Sequence, residues 1–168
     1  MKPFNALTLT AYALGAVAFA ATLPASMATE KTEGRLTAEL TFSSIDAQGK
    51  GYIHQGDLER FRDEVFVSMD HDDNGKISYT EFSDWDPGFS TIAAEAGKRD
   101  AYVTATKIVH AVWDRDGDGV LTVPEMRFAM TTDFRRADLN DDAMLSEEEF
   151  LSNFTIIVAM RAAIRPDL

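Results

Sequence analysis

The chain of 168 residues has no cysteine, so neither a disulfide framework nor a lipid-modified cysteine anchor is available to it. Positive charge is scarce as well. Lys and Arg total 16 against 28 Asp and Glu, a formal net charge of -12, which argues against binding to nucleic acid or to an anionic membrane surface. Histidine is limited to His54, His71 and His110, scattered along the chain without a Ser/His/Asp spacing or a nucleophile motif, so no enzymatic activity is expected. Beyond residue 28 there are five methionines, fewer than a Met-rich capture groove would suggest, and nine phenylalanines, which make a stiffer core. At 45% hydrophobic residues the chain can still fill one compact core or two small ones.

The apolar stretch from Ala6 to about Leu23 follows a weak positive start at Lys2, and Pro24 breaks it. Ser26-Met27-Ala28 then offers small residues at the positions a signal peptidase reads. We read residues 1–28 as a signal peptide, with an uncleaved membrane anchor as the alternative, although the stretch is short and Ala/Thr-rich for a span. Residues 29–168 form the folded domain, and no later segment is apolar enough to cross a membrane. A secreted or periplasmic domain without disulfides needs another staple, and bound metal can supply it.

Four segments explain the acidity. In DRDGDGVLTVPE, Asp114, Asp116 and Asp118 alternate and Glu125 follows at the twelfth position. A hard cation such as Ca²⁺ takes six to eight oxygens at about 2.3 to 2.6 Å, which alternate carboxylates on a tight loop and a bidentate Glu provide. Gly119 at position 6 permits the positive φ of the bend, the Val120 carbonyl ligates directly and Thr122 ligates through water. Leu121 at position 8 should pack beneath the loop. The segment DHDDNGKISYTE repeats the arrangement with Asp70, Asp72, Asn74, the Lys76 carbonyl, Ser78 and Glu81, keeping Gly75 and Ile77. Both fit the twelve-position calcium loop of an EF-hand.

Two further segments fit less fully. DLNDDAMLSEEE has Asp138, Asn140, Asp142, the Met144 carbonyl, Ser146 and Glu149, but Ala143 replaces the glycine of position 6. Holding a non-glycine residue there costs about 1 kcal/mol, several-fold in affinity, so this site is expected to be weaker. DAQGKGYIHQGD has Asp46, Gln48 and Asp57, with Lys50 placing an ammonium group where a ligand belongs. It reads as a vestigial hand kept as a structural partner; the alternative is a Mg²⁺-type site, because the shorter closing Asp57 suits a smaller octahedral ion. The three better loops carry ten ligand carboxylates, which repel one another without metal, so binding is expected to be coupled to folding.

The loops, 46–57, 70–81, 114–125 and 138–149, start 24, 44 and 24 residues apart. Between the first two lie LERFRDEVFVSM and between the last two MRFAMTTDFRRA, neither with Gly or Pro. Leu58, Phe61, Val65 and Met69, and likewise Met126, Met130, Phe134 and Ala137, recur at helical spacing, so each stretch reads as one helix. About twelve helical residues hold their ends roughly 18 Å apart, too far for adjoining loops to share a β-bridge. Pairing of loop 2 with 3 and of loop 1 with 4 is therefore favoured. The alternative is a turn near Asp63 and Thr132 that would let neighbouring loops pair. In the central segment, Phe82 and Trp85 continue the helix after loop 2 until Asp86-Pro87-Gly88 stops it. A helical pattern resumes from about Thr91 to Val112 through Ile92, Ala96, Tyr102, Ala105, Ile108, Val109 and Val112, with Gly97 as a break. Phe89 and Trp113 read as core, and Glu147 to Ile164 reads as one last helix using Phe150, Phe154, Ile157, Val158 and Ile164.

In leader, hand count and spacing, the whole chain resembles the bacterial periplasmic EF-hand calcium-binding proteins. Its 24-residue step is similar to that of the lanmodulins, the lanthanide-binding members of that group. The resemblance implies single connecting helices and pairing of hands distant in sequence. Lanmodulin loops carry Pro at position 2 and an acidic residue at position 9. This chain has Ala47, His71, Arg115 and Leu139 at the former and His54, Ser78, Thr122 and Ser146 at the latter, and its Ser and Thr look like ordinary calcium loops. The sequence thus predicts an all-α, compact four-EF-hand domain, monomeric, periplasmic or secreted, with two strong Ca²⁺ sites and a third weaker one. Buffering or a metal-responsive structural role is favoured. Lanthanide binding, or sensing that captures a protein partner of unknown identity, are the alternatives.

Overall fold

The structure, a computed structural model, describes residues 31–164; the signal-peptide reading of residues 1–28 lies outside them. Eight helices and four short strands make up this part: α1 Glu33–Ile45, β1 Tyr52–His54, α2 Gln55–Met69, β2 Lys76–Ser78, α3 Tyr79–Asp84, α4 Phe89–Glu95, α5 Arg99–Trp113, β3 Val120–Thr122, α6 Val123–Ala137, β4 Met144–Ser146, α7 Glu147–Asn153 and α8 Thr155–Ile164. No described helix is long and apolar enough to cross a membrane.

Both connectors are single helices, α2 and α6, of 15 residues each. They are longer than the intervening sequence because each begins inside the preceding loop. The residue at position 9 is the N-cap and the carboxylate at position 12 reaches back to it, so the end of the loop is also a capping box. Fifteen helical residues span about 22 Å, which separates adjoining loops further than their sequence spacing suggests. Asp63 and Thr132 both lie within these helices, and no turn forms at either.

The strands pair as that distance requires. β1 runs antiparallel to β4, with Ile53 opposite Leu145, and β2 antiparallel to β3, with Ile77 opposite Leu121. These four residues, one from position 8 of each loop, have no solvent exposure. Burying each contributes about 1.5 to 3 kcal/mol, so the bridges are pinned from beneath by apolar contact as well as by the ladder. Below them, α2 lies beside α6, α1 packs on α7 and α8, and α5 packs on α3 and α8. The faces read from the connectors are buried: Leu58, Val65 and Met69 on one, Met126, Met130, Phe134 and Ala137 on the other, with Phe61 partly covered.

Three boundary or face readings are corrected. The expected helix Glu147 to Ile164 is two helices, broken where Phe154 takes an extended conformation with φ -75° and ψ 116°. The break turns the Phe154 ring onto Phe150, with centroids 5.0 Å apart, and Arg161 covers the freed end of α7 by donating to the Leu151 carbonyl at 2.8 Å. After loop 2, Trp85 does not continue α3 but caps it in a similarly extended conformation. Asp86 then receives the Gly88 and Ser90 amides, the Ser90 hydroxyl and the Tyr102 hydroxyl, which starts α4 at Phe89. On α5, Ile108 and Val112 are 58% and 62% exposed; the buried face is Tyr102, Thr106, Val109, His110 and Trp113. Gly97, with φ 67°, does separate α4 from α5.

One core group opposes the rest. Asp133, on α6, is 4% exposed; its Oδ1 accepts the Thr155 hydroxyl at 2.7 Å, while Oδ2 has no hydrogen-bond partner. Burial pushes its pKa above the ordinary carboxylate value, against the pull of Thr155, Arg136 and the Trp113 side chain. A carboxyl raised on folding contributes stability at low pH that is lost as pH rises through the folded pKa. Asp133→Asn should therefore raise the melting temperature at pH 7 by a few degrees, with a gain that shrinks towards pH 4, as read by thermal unfolding across that range.

Candidate metal centre

Each loop is first organised by its own amides. The position 1 carboxylate accepts two backbone N–H groups from the bend: Asp70 from Asn74 and Gly75 at 2.9 and 2.8 Å, Asp114 from Gly117 and Gly119 at 2.8 and 2.9 Å, and Asp138 from Asp142 and Ala143 at 3.1 and 2.9 Å. Asp46 does the same with Lys50 and Gly51 at 3.0 and 2.7 Å. Position 3 then receives the position 5 amide, as Asp72, Asp116 and Asn140 do, and position 5 receives the position 7 amide, as Asn74, Asp118 and Asp142 do. Lys76, Val120 and Met144 stand at position 7 within the bridging strands. Loop 1 has no counterpart of these last two bonds: the Lys50 side chain has no acceptor, and the Gln48 side chain is exposed.

The bends need left-handed backbone at two places. At position 6, φ is 82° in Gly51, 78° in Gly75, 88° in Gly119 and 63° in Ala143. The fourth loop thus keeps the bend despite its side chain, and the strain inferred from sequence falls on a residue that does adopt the strained conformation. Position 4 is also left-handed, in Gly49, Asp73, Gly117 and Asp141. Sequence reasoning passed over these four, although Gly and Asp are residues that tolerate this region.

The closing carboxylate ties both ends of its loop together. Glu125 Oε1 accepts the Arg115 amide at 2.9 Å, while Oε2 accepts the Thr122 amide at 2.9 Å and its hydroxyl at 2.7 Å. Glu81 holds the His71 amide and both Ser78 donors, and Glu149 holds the Leu139 amide and both Ser146 donors. These donors hold all three glutamates below their ordinary pKa. The largest contribution comes from the Thr122 hydroxyl for Glu125, the Ser78 amide for Glu81 and the Ser146 hydroxyl for Glu149. The carboxylates are therefore ionised, as a hard cation requires, throughout the neutral range.

Convergence of oxygens tests whether a cation fits. One oxygen from each of Asp70, Asp72 and Glu81 lies within 4.8 Å of the others, and Asp114, Asp116 and Glu125 meet the same condition. Two oxygens bound to one Ca²⁺ can be about 5 Å apart at most, so the spacing within both trios is compatible with a shared ion. Among the described residues no third trio of this kind forms, since Asn140 stands in loop 4 where loops 2 and 3 have Asp.

Loop 1 is arranged differently. The Lys50 ammonium group bonds to Asp57 Oδ2, which also accepts the His54 amide at 3.0 Å, and Arg60 lies 3.3 Å from Oδ1. The Lys50 cation also sits 5.1 Å from the centre of the Tyr52 ring. Lys50 is the chief reason that the Asp57 pKa is lowered. Asp46 and Asp57 are buried, at 5% and 7% exposure, while Gln48 is exposed. Of the histidines, His54 caps α2, His71 is exposed, and His110 is buried edge-on to Tyr79 and Phe82. Trp113 packs on Phe82 at 5.9 Å, which places an aromatic between the helices that leave loop 2 and enter loop 3.

A family model described as EF hand matches residues 61–84, from within α2 through loop 2 to the end of α3. No curated protein and no solved structure matches the chain. Together with the helix–loop–helix units and the two loop bridges, the match identifies an all-α EF-hand architecture carrying acidic clusters suited to a metal ion.

Ala143 provides the direct test of graded loops. Ala143→Gly should tighten calcium binding at loop 4 several-fold, about 1 kcal/mol, without changing loops 2 and 3, as measured by calorimetric titration.

Proposed function

We propose that the protein is a calcium-binding EF-hand protein of the periplasm or secretory space, acting as a monomeric buffer or metal-responsive structural element. The observation that carries this reading is the pair of carboxylate trios, Asp70, Asp72 and Glu81 and Asp114, Asp116 and Glu125, on loops joined by one bridge. The remaining ligands are Asn74, the Lys76 carbonyl and Ser78 through water in loop 2, and Asp118, the Val120 carbonyl and Thr122 through water in loop 3. Loop 4 supplies a third, weaker site through Asp138, Asn140, Asp142, the Met144 carbonyl, Ser146 and Glu149. No residue is assigned a catalytic role. His110 is buried against the rings of Tyr79 and Phe82, and the loop carboxylates accept amides of their own loops.

Calcium binding would replace carboxylate repulsion within each loop by attraction to the ion, and the stabilisation should grow with ion concentration. Loops 2 and 3 share the buried Ile77–Leu121 contact, so filling one favours the ordered form of the other.

The test is a titration of residues 29–168 with Ca²⁺, Mg²⁺ and La³⁺, following tryptophan fluorescence and helicity. Trp113 adjoins loop 3 and Trp85 ends the helix after loop 2, so both report on the paired loops. Three calcium ions are expected, two bound more tightly than the third. Glu125→Gln should weaken loop 3 by at least the roughly 10- to 100-fold that loss of a supporting partner costs a metal site. Uptake of fewer than two ions of any kind would contradict the reading. Helicity that stays flat with Ca²⁺ and rises with sub-micromolar La³⁺ would replace calcium by a lanthanide.

A further inference from the structure

In loop 1 the positions that a bound ion would bridge are already bridged by the chain itself. Position 5 is Lys50 and position 12 is Asp57, and the ammonium group of the first bonds to the carboxylate of the second. In the other three loops the closing Glu spans the loop, with one oxygen on the position 2 amide and the other on position 9. Asp57 retains the position 9 contact, through the His54 amide, but its other oxygen faces Arg60 rather than the Ala47 amide. Lys50 supplies the missing span from the opposite side. Its side chain is 23% exposed and that of Asp57 is 9% exposed, so the pair is largely shielded from water and salt.

We infer that Lys50 serves as a resident cation of loop 1, closing that loop without metal and keeping the β1–β4 bridge assembled before any ion binds. The hand is therefore self-occupied rather than degenerate. Its position 6 bend is left-handed at Gly51, Asp46 holds the Lys50 and Gly51 amides, and Ile53 is as fully buried as its counterparts. What a calcium ion does for loops 2 and 3 when it arrives, the ammonium group does for loop 1 from the moment the chain folds.

The consequence is an ordered sequence of events. The bridge between loops 2 and 3 joins two carboxylate trios, and in the absence of ions both sides of it are self-repelling; the Lys76 side chain, 3.6 Å from Asp118, is an exposed and weak remedy. The bridge between loops 1 and 4 joins one acidic loop to one whose closing carboxylate is already paired with a cation of its own. Loop 4 thus meets a strand partner that is already set, which offsets part of the disadvantage of Ala143. This last consequence rests on the reading that loop 4 takes calcium; the order of the two bridges does not.

Amide hydrogen exchange on the protein in excess chelator tests the order. The Ile53 and Leu145 amides should exchange about tenfold more slowly than those of Ile77 and Leu121. Equal exchange in the two bridges, or slower exchange in the second, would overturn the inference. Because no ion is present, failure of the calcium reading leaves this comparison intact. Lys50→Met removes the charge while keeping most of the side-chain bulk. It should erase the difference in chelator and weaken calcium binding at loop 4 about fivefold or more, leaving loops 2 and 3 unchanged. Lys50→Arg, which keeps a cation opposite Asp57, should restore the slower exchange. An unchanged β1–β4 bridge in Lys50→Met would show that the ammonium group does not hold it.

Discussion

Everything in this fold depends on the stiffness of two helices. An α-helix cannot be shortened without breaking its hydrogen bonds, so α2 and α6, at 15 residues each, fix the distance between the loops at their ends. Every loop leaves a strand of three residues that needs a partner, and the partner across a connector is out of reach. The strands pair instead with loops distant in sequence, 2 with 3 and 1 with 4. Four local motifs become one domain because none can complete its bridge without crossing the chain. The buried residues at position 8 then tie each bridge to the core.

A second constraint works against the first. The chain concentrates carboxylates in its loops, and in folding it must hold like charges close together. Backbone amides of the bends accept part of that burden, and hydroxyls at position 9 accept more, so that the closing glutamates are pushed down in pKa rather than up. Hydrogen bonds of this kind hold ionised groups in place but do not remove their mutual repulsion. The protein answers the remainder in two ways, with an internal ammonium group in loop 1 and, as we propose, with calcium in loops 2, 3 and 4. The absence of disulfides gives that second answer a structural as well as a binding role.

Much of this was legible in the sequence because the relevant chemistry is local. The alternation of Asp114, Asp116 and Asp118 and the return of Glu125 follow from one loop's needs, and the apolar repeats of α2 and α6 follow from one helix's. Loop pairing was also within reach, since it required only the length of a helix. What escaped notice depends on contacts between elements. The break at Phe154 was invisible to periodicity, because the apolar face continues through it; its cause is a ring that packs better on Phe150 if the backbone turns. Ile108 and Val112 suit a buried face by type, yet Thr106 and His110 lie on it, because Tyr79 and Phe82 of the preceding hand cover that side. The burial of Asp133 likewise depends on another element, since α8 brings the Thr155 hydroxyl onto one of its oxygens. For loop 1, the sequence showed that Lys50 opposes an ion, but not that its ammonium group reaches Asp57.

Connector length dictates which loops meet, and nuclear Overhauser contacts between strand protons in the calcium-loaded protein in solution are the decisive measurement. Cross-strand contacts are expected between Ile77 and Leu121 and between Ile53 and Leu145, with none joining Ile53 to Ile77 or Leu121 to Leu145. Strand contacts between loops 1 and 2, or between loops 3 and 4, would contradict that pairing.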